Sequence, residues 1–63
     1  MRYQILMVNA VTGIGTDFFT ASNKLSEMVT NAMAEGWRPI GGVAVGETQS
    51  LKEPHLFQAI VHD

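Results

Sequence analysis

The heptapeptide Gly36-Trp37-Arg38-Pro39-Ile40-Gly41-Gly42 constrains this chain more than any other stretch. It joins a helix stop, a bulky aromatic and a strand start in one corner. Upstream of it, Leu25, Met28, Val29, Ala32 and Met33 recur at i, i+3, i+4, i+7 and i+8, the single apolar stripe of an amphipathic helix. Ser22 or Asn23 is the expected N-cap, because its side-chain oxygen accepts an orphan amide proton. Gly36 supplies the left-handed residue that closes a helix, and Pro39 prevents its continuation. The spacing predicts a helix over about residues 22–35. Its methionines read as adaptable core filler rather than ligands. Trp37 is expected to plug the end of the core, with ligand stacking as the rival role.

Three strands frame that helix. Over residues 2–12, Tyr3, Ile5, Met7 and Val11 share one face, and Leu6, Val8 and Ala10 share the other. A strand apolar on both sides is buried on both, and one helix covers only one. Residues 39–48 read as a second strand, with Val43 and Val45 on one face. Gly42, Ala44 and Gly46 leave a side-chain-poor trough on the other. Paired glycines in a strand mark either a bulge or a place where a ligand or partner comes close. Residues 49–54 read as a hairpin loop. Residues 55–62 form the third strand, with Phe57, Ala59 and Val61 opposite Leu56, Gln58, Ile60 and His62. Gln58, set among apolar neighbours, requires a hydrogen bond, to backbone in preference to a ligand.

The connection between the first strand and the helix is less determined. Gly13-Ile14-Gly15 follows a strand and precedes a helix, which invites a phosphate-loop reading, but the third glycine is missing and a flexible connection is favoured. Phe18, Ala21 and Leu25 keep helical spacing, so either an extra helical turn starts near Asp17 or a loop packs Phe18 against the helix. The order β-α-β-β predicts a single α+β domain over residues 1–63. One amphipathic helix packs on a three-stranded mixed sheet, whose first two strands run parallel through a right-handed crossover and whose last two form an antiparallel hairpin. The other sheet face is expected in an oligomer interface.

Size supports that last expectation. A 63-residue chain buries only about 60% of its unfolded surface, and small folds recover the margin with disulfides, a metal or oligomerisation. Cysteine is absent and there are two histidines, which leaves oligomerisation. Net charge is −2, with Arg2, Lys24, Arg38 and Lys52 scattered, so nucleic-acid binding is disfavoured. No apolar run reaches the ~20 residues of a membrane span, and a signal peptide here would remove a whole strand. Cytoplasmic residence is the expectation. Catalysis is disfavoured too: no Ser-His-acid set, carboxylate pair or metal cluster stands out, and His55 reads as an exposed strand-start residue. No cofactor is expected.

The residues Leu25, Val29, Gly36-Trp37, Pro39, Gly41-Gly42, Val43 and Gln58-Ala59 together resemble the signature of a short bacterial and viral domain of unknown function, the family numbered seventeen thirty-seven. The resemblance covers roughly residues 22–62, with Tyr3 matching an aromatic near the start, and departs from the pattern in the longer 12–21 connection. It implies no activity. Its viral membership implies a phage-encoded setting and an anti-defence role, in which a small oligomer sequesters a nucleotide or binds a host protein. The leading expectation is a homo-oligomer that binds a small, nucleotide-like ligand at subunit interfaces, with Trp37, Arg38, Gly41, Gly42, Gln58 and Phe18 as contacts. The alternative is a protein-interaction module or inhibitor that docks a host protein on its exposed sheet face or edge.

Overall fold

A computed structural model describes residues 1–47 and 53–63 of the chain. In order these are β1 (Arg2–Asn9), β2 (Val11–Thr12), β3 (Gly15–Thr16), α1 (Phe18–Ala34), β4 (Arg38–Glu47) and β5 (Pro54–His62). One helix packs on a three-stranded sheet, the α+β arrangement the sequence predicts. The expected hairpin loop falls mostly on residues 48–52, which lie outside the described residues.

The sheet is antiparallel throughout, not mixed. Its order is β1-β5-β4, with β5 in the centre. β1 and β4 do run in the same direction, since each is antiparallel to β5, but they are not neighbours. The physical reason lies in β5, whose Leu56, Gln58, Ile60 and Val61 are all buried. The strand with least exposed surface takes the position flanked on both sides. β1 becomes an edge strand, with β5 between it and β4.

Register assigns the faces. Val8 stands opposite Leu56, Leu6 opposite Gln58 and Gln4 opposite Ile60. This even-numbered face meets α1 and forms the core with Ala10, Ala21 and Leu25, against which Leu6, Met28 and Val29 are partly buried. The opposite face carries Tyr3, Ile5 and Met7 opposite Val61, Ala59 and Phe57. Tyr3, Ile5 and Met7 are 63%, 55% and 49% exposed. Among the described residues nothing covers them.

α1 starts four residues earlier than predicted, so the extra-turn alternative holds. The N-cap is Asp17, not Ser22 or Asn23: its carboxylate accepts the Thr20 amide at 3.0 Å and the Thr20 hydroxyl at 2.8 Å. The stripe is also narrower than expected, since Ala21 and Leu25 are its buried residues and Met33 is half exposed. At the other end the corner closes as predicted. The Gly36 amide donates to the Met33 carbonyl and the Trp37 amide to the Ala32 carbonyl, the paired bonds of a Schellman stop, with Gly36 at φ +97°.

The amide and hydroxyl bonds from Thr20 hold the Asp17 carboxyl below its ordinary range, the amide bond being the larger cause. Because the folded-state value lies under the unfolded one, the cap stabilises at neutral pH and is lost as pH falls through the carboxylate range. Asp17→Asn keeps an N-cap acceptor without the charge. Acid titration of thermal unfolding below about pH 4.5 is expected to show a shallower loss of stability in Asp17→Asn than in the parent. Parallel curves would remove the cap from acid unfolding.

Candidate functional site

The 12–17 connection is a short hairpin. β2 pairs with β3, the Thr12 hydroxyl donates to the Gly15 carbonyl at 2.9 Å, and the Ile14 amide donates to the Thr12 hydroxyl at 3.3 Å. Gly15, at φ +135°, turns it. Such glycines serve the turn. The Thr20 amide, one of the helix-start donors an anion would need, is already taken by the Asp17 carboxylate, and a negative cap repels a phosphate.

The helix leaves β4 largely uncovered, and a cleft of about 550 Å³ opens between them. Its floor is apolar: Leu25, Val29, Leu56, Pro39 and Val43. On the helix side Ser22, Ser26 and Thr30 are spaced four apart, so their side chains stack along one face. Gly41 and Gln58 close the opposite wall. Ser22 is partly committed, its hydroxyl donating to the Phe19 carbonyl at 2.9 Å. Ser26 and Thr30 are exposed. Among the described residues no cation lines this cleft.

Gly41 belongs to an irregularity in β4. Ile40 pairs with Ala59, yet the next paired residue, Ala44, stands opposite Phe57. Three residues therefore face Gln58 alone, and the ladder opens into a bulge. Gln58 fills it: its side-chain nitrogen donates to the Ile40 carbonyl at 3.0 Å and the Ala59 carbonyl at 2.9 Å, with the Gly41 carbonyl at 3.4 Å. Those contacts go to backbone, the favoured expectation for a buried amide. Gly41 takes φ +70°, and a side chain at Gly41 or Gly42 would project into open space. The paired glycines thus sit in a bulge, and the expected trough does not run on to Gly46, where a Cβ would lie 3.5 Å from the Phe57 ring.

The other sequence candidates lie elsewhere. Trp37 packs at the C-terminal corner of α1, edge-on to His62 with ring centroids 5.3 Å apart, and the Arg2 guanidinium sits 5.0 Å over its ring. It is half buried there, as a core plug would be. Arg38 is exposed and paired with Asp63 at 3.0 Å, an ion pair too solvated to fix structure strongly. Phe18 opens α1 and is 47% exposed. The cleft thus gathers Gly41 and Gln58, while Trp37, Arg38, Gly42 and Phe18 do not line it.

Two placements escaped sequence reasoning. The hydroxyl row Ser22, Ser26, Thr30 was legible in its four-residue spacing, but only an uncovered β4 makes it a cleft wall. His55 is 3% exposed, not solvated: its Nδ1 lies 2.7 Å from the Glu53 carbonyl and its ring stacks near Phe57. Among the described residues no group of three His, Cys, Asp or Glu is placed to hold a metal, and no helix is long and apolar enough to cross a membrane.

Comparison with known proteins adds one finding. The family model described as Domain of unknown function (DUF1737) matches residues 17–63. No curated protein and no solved structure matches the chain.

Proposed function

The chain belongs to the DUF1737 family, and from that premise we propose that it is a small-ligand-binding protein whose site is the cleft between α1 and β4. The carrying observation is the cleft itself, an apolar floor with hydroxyls along one wall and a bulged strand along the other. Ligand sites commonly combine predominantly apolar walls with a few placed polar groups. The lining favours a neutral, largely apolar molecule with one or two hydrogen-bonding groups. A phosphorylated ligand finds less support, since Arg38 is engaged with Asp63 and absent from the lining.

The Ser26 side chain is exposed on the cleft wall, so enlarging it fills the site without touching the core. Native mass spectrometry against a panel of nucleotides, cofactors and neutral metabolites is expected to find a ligand bound by the parent. Ser26→Phe is expected to weaken that ligand at least about tenfold, the 1.4 kcal/mol scale of one blocked contact, with the melting temperature unchanged. A ligand that binds Ser26→Phe equally well would exclude the cleft.

A second reading has its own observation. Tyr3, Ile5, Met7 and Ile40 form an exposed apolar sheet face of the kind that marks a protein-interaction surface. Under it the chain is an interaction module, and Tyr3→Asp would abolish a stoichiometric protein complex while leaving Ser26→Phe unaffected.

A further inference from the structure

We infer that the outer edge of β1 pairs with β1 of a second copy, joining two sheets into one six-stranded sheet. The inference goes beyond the ligand-binding reading and does not depend on it.

The two sheet edges differ in what guards them. β4 carries Pro39, which has no N–H to offer, and a bulge with Gly41 at positive φ. Proline and bulges are the ordinary means by which an edge is protected from pairing. β1 has neither. Its register against β5 is regular along all eight residues, and its single charge, Arg2, is drawn onto the Trp37 ring. A long, regular, almost uncharged edge is a template for another strand.

The backbone polarity of that edge follows from one bond. The Ala10 amide donates to the Pro54 carbonyl at 2.9 Å, continuing the β1–β5 register by one residue. In an antiparallel ladder the N–H and C=O of one residue point to the same side, and the side alternates along the strand. Arg2, Gln4, Leu6 and Val8 therefore direct their backbone groups towards β5. Tyr3, Ile5 and Met7 direct theirs outwards.

A two-fold axis at Ile5 satisfies these groups. Antiparallel self-pairing centred there sets Ile5 opposite Ile5 of the second copy and Tyr3 opposite its Met7, with on the order of six backbone bonds. Aromatic and thioether side chains then meet across the strands on the bare face, a favourable cross-strand pair. The same side chains are the 63%, 55% and 49% exposed residues of β1. Isologous pairing of one surface with itself is the commonest route to a closed dimer.

Self-complementarity argues for a second copy over an unrelated partner, since the outward groups of Tyr3, Ile5 and Met7 match themselves on rotation about Ile5, and the shape of the chain fits that pairing. A compact chain of this length has a radius of gyration of about 11 Å and a surface of about 4,000 Å². The observed values are 12.3 Å and 4427 Å². With extents of 38 × 23 × 15 Å the chain is a slab, and joining slabs edge to edge removes surface that its own small core does not cover.

The test uses the full chain. Ile5→Pro removes an outward N–H and leaves the β1–β5 bonds in place, a substitution that edge strands tolerate. Sedimentation velocity is expected to give an even-numbered assembly for the parent, and a mass at least halved for Ile5→Pro with unchanged far-UV circular dichroism. As a variant that does not rely on proline, Ile5→Cys in this cysteine-free chain is expected to form a disulfide-linked dimer on mild oxidation, since paired Cα atoms about 5.5 Å apart suit the bond. Val43→Cys on β4 is expected to stay unlinked. A monomeric parent, an Ile5→Pro assembly of undiminished mass, or equal cross-linking at Val43 would overturn the proposal.

Discussion

Gly36→Ala is expected to lower the melting temperature by on the order of 10–25 °C. Gly36 sits at φ +97°, where an L side chain is strained, and a Cβ there would lie 2.7 Å from Nε2 of His62. The backbone strain alone costs roughly 1–3 kcal/mol. Relief of the contact requires His62 to move, which breaks its 2.9 Å bond to the Glu35 carbonyl and its edge-on packing on Trp37. A hydrogen bond of that kind contributes about 1 kcal/mol. The total, about 2–4 kcal/mol, is a large part of the roughly 3–9 kcal/mol available to a domain this size, and each kcal/mol moves the midpoint by about 4–8 °C.

Two controls sharpen the result. At Gly13 a Cβ meets nothing within 4 Å, so Gly13→Ala is expected to stay within about 0.5 kcal/mol of the parent. In Gly36→Ala/His62→Ala the clash is gone and only the φ strain remains, so histidine truncation should cost less in the alanine background than in the parent. Thermal unfolding followed by circular dichroism measures all three. A Gly36→Ala midpoint within 2 °C of the parent would show that the corner accommodates a side chain and does not lock α1 to β5.

That corner was the most legible part of the sequence, and for a physical reason. Glycine at a helix stop, an aromatic behind it and a proline beyond it act locally, so Gly36, Trp37 and Pro39 carry their meaning within a few residues. The faces of β1 and β5 were likewise readable, because alternation is a local pattern, but the strand expected over residues 2–12 ends at Asn9, and Val11–Thr12 pairs with Gly15–Thr16 instead of continuing it. Strand order was not. Whether β4 lies beside β1 or admits β5 between them depends on which strand loses least by being flanked twice. That comparison of Leu56, Ile60 and Val61 with Tyr3, Ile5 and Val43 is global. The N-cap was misread for a related reason: Ser22, Asn23 and Asp17 are all good caps, and the choice is settled by Ala21, which is buried in the core with Leu25 and so must already be helical.

The candidate site divides along the same line. Gln58 carries a local signal, a polar residue in an apolar strand, and its bonding to backbone follows from the cost of leaving an amide dry. Trp37 and Arg38 are as eye-catching in sequence, yet the end of the sheet uses one as packing and leaves the other to Asp63. Proximity in sequence to Gly41 does not place them in the cleft: Trp37 precedes β4, and Arg38 stands opposite Val61 on the other sheet face, while Pro39 beside it lines the cleft.

Gln58→Leu is expected to cost about 1–3 kcal/mol and to loosen β4 selectively. Leucine fills nearly the same volume, but the Ile40 and Ala59 carbonyls each lose a donor at 3.0 and 2.9 Å, and each hydrogen bond lost costs about 0.5–1.5 kcal/mol. The added apolar surface offsets only part of this. The loss is local, since the bulge between Ile40 and Ala44 exists only because three residues face this one side chain. Amide exchange should therefore accelerate along Arg38–Glu47 well beyond its change along Arg2–Asn9. Gln58→Glu is expected to be worse at neutral pH, where a carboxylate would face the same carbonyls. It should recover partly on acidification, because a group whose folded-state pKa is raised contributes stability below its unfolded value and loses it as pH rises. Equal acceleration of β1 and β4 in Gln58→Leu would mean the amide supports the whole sheet. No acceleration would mean the bulge is held by β4 alone, and Gln58 would then be free to serve the cleft as a ligand contact.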